Sequence, residues 1–450
     1  MNVEQISDLS VLGLVFAGCM AILVLLLPRR WAPLPIVLMT CYMTFGQQVV
    51  AAGLHFTMLR LLVFVGCVRI VVRREFRRLE WLSLDNLMVA WILVGSVTYT
   101  LLWGNAEALV NRLGWAYDAL GLYFIFRFLL RDLGDVRHVC RMFAVALLPL
   151  AAAMVMEKLT GRNPFYVFGG VPEFTDVREG VLRCQGPFGH PILAGSFGAA
   201  WVPLLVGLWL QGRGQRSLAM LGIASAGLIT VLAGSSGPVA AMGAGILGCA
   251  MWPFRNSMKA ARWGVVVVLV FLQLVMKAPV WFLFARVNIF SGSTGWHRAN
   301  LIDRTIAHFS DWWLLGAKDT MSWGVWAGDI TNQFILQGVR GGIVTLILFT
   351  SIVVICFATL GSATRMMEGQ SRRVQLLFWC TGATLFAHVI SFMSVSYFDQ
   401  NVVNWYLLLA VTATMATQCR RAVRESSRKK SVDGPSKCAL PEAGYVEAHV

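Results

Sequence analysis

Apolar residues come in long blocks along almost the whole chain, separated by short polar connections. A helix that crosses a bilayer core needs about 20 mostly apolar residues, and a block of that length leaves no room for a soluble amphipathic stripe. The pattern predicts helical spans over 10–28, 33–51, 56–72, 86–103, 113–130, 138–157, 190–210, 217–234, 238–253, 263–280, 332–358, 374–394 and 401–417. The predicted class is all-α: a polytopic transmembrane bundle of roughly 12–13 helices. Two connections are long, about 158–189 and about 280–330, and the apolar period stops near Gln418.

Composition makes the membrane class firm. Hydrophobic residues are 57% of the chain and charged residues 14%, with a mean hydropathy of +0.66, whereas a soluble domain carries roughly a quarter charged residues. The first block, Val11 to Leu27, follows Glu4 and Asp8 and has no small-residue cleavage site, so a cleaved signal peptide is not expected. The ten cysteines are scattered singly, mostly inside apolar blocks, without a CxxC pair. They read as packing residues, and neither a metal site, a cofactor nor a disulfide framework is expected.

The formal charge of +15 would suit nucleic acid, but its distribution points to membrane orientation instead. Basic clusters at Arg29–Arg30, Arg73–Arg78, Arg131–Arg141, Arg213–Arg216, Arg255–Arg262, Arg365–Arg373 and Arg420–Lys430 fall on every second connection. By the positive-inside rule these connections are cytoplasmic, which places both long loops on the opposite, outer face. The chain then divides into a transmembrane unit, 1–417, and a basic tail, 418–450, expected to be disordered and cytoplasmic. In a bacterium this is a multi-pass protein of the inner membrane with its chemistry facing the periplasm.

Polar chemistry that avoids burial in lipid belongs in the long loops. The first carries Arg178 and then Arg183-Cys184-Gln185-Gly186-Pro187-Phe188-Gly189-His190-Pro191, running straight into the next span. An arginine just above the membrane can meet a phosphate bidentately, or simply anchor at headgroup level. The second carries Ser293-Thr294-Gly295-Trp296-His297-Arg298, then Arg304, Trp312-Trp313 and Gly328-Asp329-Ile330-Thr331-Asn332-Gln333. Its tryptophans suit the interfacial belt. Within the spans, Asp118 is read as lining the outer cavity, Arg127 as reaching cytoplasmic headgroups, and His388 as a helix-packing hydrogen bonder. Gly234 to Pro238 falls where an outer-face turn is expected.

These stretches together resemble the superfamily of O-antigen ligases and of O-antigen and exopolysaccharide polymerases. Arg183 to Pro191 is similar to its R-x-x-G-x-F-x-H/N-P entry motif, Arg298 through Trp313-Leu314-Leu315-Gly316 to its second-loop pattern, and Asp329 to Gln333 with Gly338, Gly341 and Gly342 to its closing signature. In ligases that signature opens with histidine; here Asn332, Gly342 and Thr345 keep the register, and Thr331 stands at the histidine position. The likeness covers roughly residues 60–415.

The resemblance implies a GT-C-like membrane fold and a metal-independent glycosyltransferase that takes glycan from undecaprenyl pyrophosphate at the periplasmic face. Its partners would be that lipid-linked glycan, a glycan or lipid-linked acceptor, the bilayer and, for a polymerase, a chain-length regulator. Pyrophosphate is a good leaving group, so the protein must mainly orient two substrates and neutralise charge. Arg183 and Arg298 are the first candidates for that task, with Arg178 and Arg304 behind them and His190, His297, Asn332 and Asp118 as further substrate contacts. The base candidate is Asp329, whose alternative role is a helix N-cap; His190 and His297 are the other bases within the motifs. The absent histidine favours a polymerase over a ligase that delivers glycan to lipid A core. A transporter or flippase is the competing class, and it would depend more on Asp118 than on the loop arginines.

Overall fold

The computed structural model describes residues 10–44, 46–51, 54–286, 295–324, 327–367 and 371–432. Helices occupy nearly all of it: α1 (Val11–Leu26), α2 (Pro33–Tyr42), α3 (Met58–Val72), α4 (Ser83–Trp103), α5 (Ala106–Leu129), α6 (Leu133–Thr160), α7 (Pro191–Trp209), α8 (Arg213–Leu232), α9 (Ser236–Ala250) and α10 (Met258–Val275). The second long loop contributes α11 (Gly295–Ala307) and a single turn, α12 (Phe309–Trp312); then come α13 (Gln333–Met366), α14 (Arg372–Phe392) and α15 (Gln400–Val432). Among the described residues, eight helices are long and apolar enough to cross a membrane, and three shorter ones are also apolar. The protein is a multi-pass helical membrane protein.

Burial ranks the helices. The apolar windows of α7 and α15 are 83% and 89% buried, against 0% for α10, so α7 and α15 form the axis of the bundle and α10 is left to lipid. Around the axis α7 packs on α8, α9 and α14, α6 packs on α8, and α4 packs on α13. Small residues allow the close contacts: a side chain at Gly198 would strike the Ala226 carbonyl, and one at Gly245 would strike Pro203.

Three expectations change. The span over 33–51 is a ten-residue helix, α2, followed by a hairpin of β1 (Gln48–Ala51) and β2 (Leu54–Thr57). Gln47 and Gln48 interrupt the apolar run, and Gln47 accepts the amide of Ser10 at 2.6 Å, so the chain leaves the helix to serve polar groups at the bundle edge. The tail expected from 418 onward begins inside α15, which continues to Val432. Helix propensity among Arg420 to Lys430 carries it past the end of the apolar period; residues 433–450 lie outside the described residues.

The third change concerns the intramembrane charges. Asp118 is held by Arg60, with Nε at 3.0 Å from both carboxylate oxygens and a second nitrogen at 2.8 Å. It ties α5 to α3 instead of lining a cavity. Arg127 does not reach headgroups either: its Nε lies 3.1 Å from Asp85, which also accepts the hydroxyl of Tyr123 at 2.6 Å. A charge inside the bundle is tolerated when its partner is built in. His388 matches its expected role, with Nδ1 2.9 Å from the hydroxyl of Tyr397.

Candidate active site on the loop face

The long loops emerge at one end of the bundle, here called the loop face, and the clustered arginines line the other, the basic face. In the first loop, β3 (Asp176–Arg178) and β4 (Val181–Arg183) form a hairpin closed by Glu179–Gly180. Its register sets Asp176 opposite Arg183 and Arg178 opposite Val181. Because facing residues and alternate residues share one side of a strand pair, Arg178, Asp176 and Arg183 project together. Asp176 lies 3.4 Å from Arg183.

Beyond the hairpin the entry motif is clamped from below. Glu157, fully buried at the end of α6, accepts the amides of Gln185 at 3.0 Å and Gly186 at 2.9 Å. Asn163 donates to the Gly186 carbonyl, and Gln400 donates to the Pro187 carbonyl. Asp399 accepts the Gly189 amide at 2.9 Å. His190 caps α7, its Nδ1 accepting the Ile192 amide at 3.2 Å. Arg183 is thereby mounted on a rigid platform.

The turn between α8 and α9 brings the second arginine alongside. The stem of Arg183 packs over Gly234, and a nitrogen of Arg298 lies 3.3 Å from where a Cβ on Gly237 would stand. Gly237 must stay bare, since a side chain there would also strike Ser394. Arg183 is buried to 7% exposure, and the Nε atoms of both arginines are buried without a hydrogen-bond partner. Burial pulls the Arg183 guanidinium below its ordinary pKa, with Asp176 pushing it back up and Arg178 adding to the fall. Burial and then Arg178 bring Arg298 down to about 10. Both remain cationic at neutral pH, and Arg178 stands close enough for its charge to act on each.

His190 belongs to the same cluster. Crowding and then the charge of Arg183 lower its pKa to about 4, while Asp176 and Asp329 oppose the shift. Its Nδ1 is committed to the helix cap, so the neutral ring carries its proton on Nε2. In that tautomer the exposed His190 ring offers Nε2 as a hydrogen-bond donor. Asp329 is exposed, acts electrostatically on His190 from the other loop, and makes no side-chain hydrogen bond among the described residues.

The cap expected of Asp329 or Asn332 falls to Asn332, whose side chain accepts the amides of Phe334 and Ile335 at 3.0 and 3.2 Å. Its side-chain oxygen thereby starts α13. Arg304 is also separated from the cluster. It lies about 120° around α11 from Arg298, at roughly 3.6 residues per turn, against Gly324. His297, one residue from Arg298, makes no hydrogen bond among the described residues, and Ser293 and Thr294 lie outside them.

The second-loop pattern and the closing signature meet each other. α13 breaks at Gly342, whose φ of +74° suits glycine. There the loop supplies the lost backbone bonds: Ile343 donates to the Trp313 carbonyl at 2.7 Å, and Ala317 donates to the Val339 carbonyl at 2.8 Å. Trp312, expected in the interfacial belt, is buried against Gly338 and donates to the Thr305 carbonyl. It pins α11, and hence Arg298, to the broken helix. Thr331, at the histidine position, has a buried hydroxyl without a partner.

Asp399 was missed as a site candidate. It is buried beneath the Gly189–His190 turn, and burial lifts its carboxyl pKa to about 7, with the Gly189 amide acting against the rise. Its φ of +51° is a strained position for an aspartate. The chain matches no protein-family model and no curated protein.

Proposed function

We propose that the protein is a membrane glycosyltransferase that polymerises polyprenyl-pyrophosphate-linked repeat units of an exopolysaccharide or O-antigen at the periplasmic face. The observation that carries this reading is the pairing of Arg183 and Arg298, 115 residues apart in sequence, over one Gly234–Pro238 turn with both Nε atoms unpartnered. A buried Arg183 and a half-buried Arg298, each with an unpartnered Nε beside the same turn, suit the two phosphates of a pyrophosphate better than they suit each other.

In this reading an acceptor hydroxyl attacks the anomeric carbon of the lipid-linked glycan. The new C–O bond forms as the bond from that carbon to the pyrophosphate oxygen breaks, and polyprenyl pyrophosphate departs with the electron pair. Arg183 and Arg298 hold the leaving charge, Arg178 lies at the rim, and His190 donates through Nε2. The acceptor proton goes to Asp329, the exposed carboxylate whose charge acts on His190 of this cluster. Among the described residues there is no group of three or more His, Cys, Asp or Glu that could hold a metal ion.

Thr331 in place of a histidine supports a polymerase over a ligase, and Asp118 paired to Arg60 weakens the case for an ion-coupled transporter. In cells, Arg183→Ala or Arg298→Ala should abolish polymer while the protein remains folded in the membrane; normal polymer in both would refute the reading. Asp329→Asn should block turnover with lipid-linked donor still bound, and unchanged turnover would move the base to Asp399. A deletion strain that accumulates single lipid-linked repeat units identifies a polymerase.

A further inference from the structure

A second group of cations on the loop face shares no residue with the first. Arg112, on the first turns of α5, is buried to 6% exposure. Its guanidinium carbon lies 3.6 Å from the centre of the Tyr99 ring and 5.3 Å from that of Trp115. Its Nε is buried without a hydrogen-bond partner. One turn along α4, Trp103 carries Lys318 over its ring at 5.9 Å. Lys318 follows Gly316, which packs directly on the backbone of Val339 and Arg340. Arg340 is exposed, on the short piece of α13 before the Gly342 break, and near enough for its charge to act on Arg112.

None of these three cations is in an ion pair among the described residues. The nearest carboxylate in sequence, Asp319, turns back to accept the amide of Met321. Like charges gathered without a counter-ion at a low-dielectric boundary repel one another, and an aromatic floor offsets only part of that cost. A multivalent anion removes the repulsion, and arginine matches phosphate oxygens bidentately. Tryptophan and tyrosine are the side chains that favour the level of lipid headgroups.

We propose that Arg112, Arg340 and Lys318 form a second phosphate site, which takes the head of a lipid entering sideways between α4, α5 and α13. Two lipids carry this chemistry, a polyprenyl phosphate or pyrophosphate and an anionic phospholipid. If the proposed polymerase reading holds, the first of these supplies the acceptor repeat unit, because joining two lipid-linked glycans requires two lipid heads to be held at once. The site itself does not depend on that reading.

The test uses the full-length protein in nanodiscs, in an Arg183→Ala/Arg298→Ala background that silences the first cluster. Binding of a polyprenyl phosphate and of phosphatidylglycerol is measured separately, with and without Arg340→Gln/Lys318→Gln. Both of those side chains lie outside the packed core, so the fold is kept, and an unchanged melting temperature checks this. Arg112→Gln serves as the second variant. The expected result is saturable binding of at least one lipid, weakened about tenfold or more by either variant. Preference for the polyprenyl lipid identifies a substrate site, and preference for phosphatidylglycerol a structural lipid. No saturable binding of either, or binding that ignores both variants, overturns the proposal. Failure of the pyrophosphate clamp would appear as normal polymer in Arg183→Ala, a separate readout.

Discussion

On the basic face Arg29, Arg69, Arg127 and Arg421 each meet a carboxylate, Asp135, Glu75, Asp85 and Glu80, at 2.5 to 3.1 Å. On the loop face Arg298, Arg112 and Arg340 meet none among the described residues, and Arg183 has only the half-exposed Asp176 at 3.4 Å. Arg60 with Asp118 at 2.8 Å follows the basic-face pattern on the loop side, and the exposed Arg162 meets Glu173 there at 3.3 Å. The same residue type thus serves two purposes. With a built-in counter-ion it fastens helices, and in the proposed reading the loop-face arginines without one are left to an anion from outside.

The sharpest break of this comparison is functional. Arg298→Ala should lower polymer formation by at least about 100-fold, the scale of losing one donor that stabilises charge in a transition state, with little change in melting temperature. Comparable loss of folding in this variant would put the loop arginines in the same class as the basic-face ones. Conversely, Arg127→Ala leaves the buried Asp85 carboxylate without its cation, with only the Tyr123 hydroxyl and the Leu82 amide as partners, and should cost about 3–5 kcal/mol of stability, read as a lower melting temperature in detergent. Activity per folded molecule should be preserved. If instead the variant melts normally but is inactive, the division of labour fails.

A smaller effect separates the two faces by pH. The folded pKa of Asp399 is raised to about 7, so its protonated form is favoured in the folded protein. The stability tied to that proton is complete below the ordinary aspartate pKa and is lost as pH rises through about 7. Asp399→Asn should flatten this part of the melting profile, and a profile identical to that of the parent would place the carboxyl in solvent. The smallest effect is Asn332→Ala, which should cost about 1 kcal/mol as a lost N-cap without changing donor affinity. A large rise in donor KM would return Asn332 to the substrate.

The bundle was legible because lipid imposes its period on the spans: each of the thirteen predicted spans overlaps a helix of the structure, although 33–51 is helical only over its first half. Where polar side chains compete with that period, as at Gln47 and Gln48, the span shortened; where helix formers outlast it, as after Gln418, the helix ran on. The loop arginines were legible as a group, since charge alternation puts both loops on one face. Their grouping over Gly234 and Gly237 was not, because it depends on a turn between two spans that carries no charge of its own. Asp118 was misread for a related reason. Its partner Arg60 is 58 residues away, and only the packing of α3 on α5 makes them a pair. Asp399 had no signal in sequence beyond its place at the end of a span, since what distinguishes it is burial under another segment's turn.

The break at Gly342 also has a bearing on how the chain is assembled. The stretch after it, through Met366, is apolar enough to enter the bilayer, and the loop bonds to both sides of the break, Ala317 to Val339 before it and Trp313 to Ile343 after it. Those partners are synthesised earlier and stay in the aqueous compartment until the following span is threaded. The loop can dock only once α13 has been made, so Arg298 takes its place beside Gly237 after the helix that holds its loop, and a molecule without that docked loop would hold only half of its first cluster.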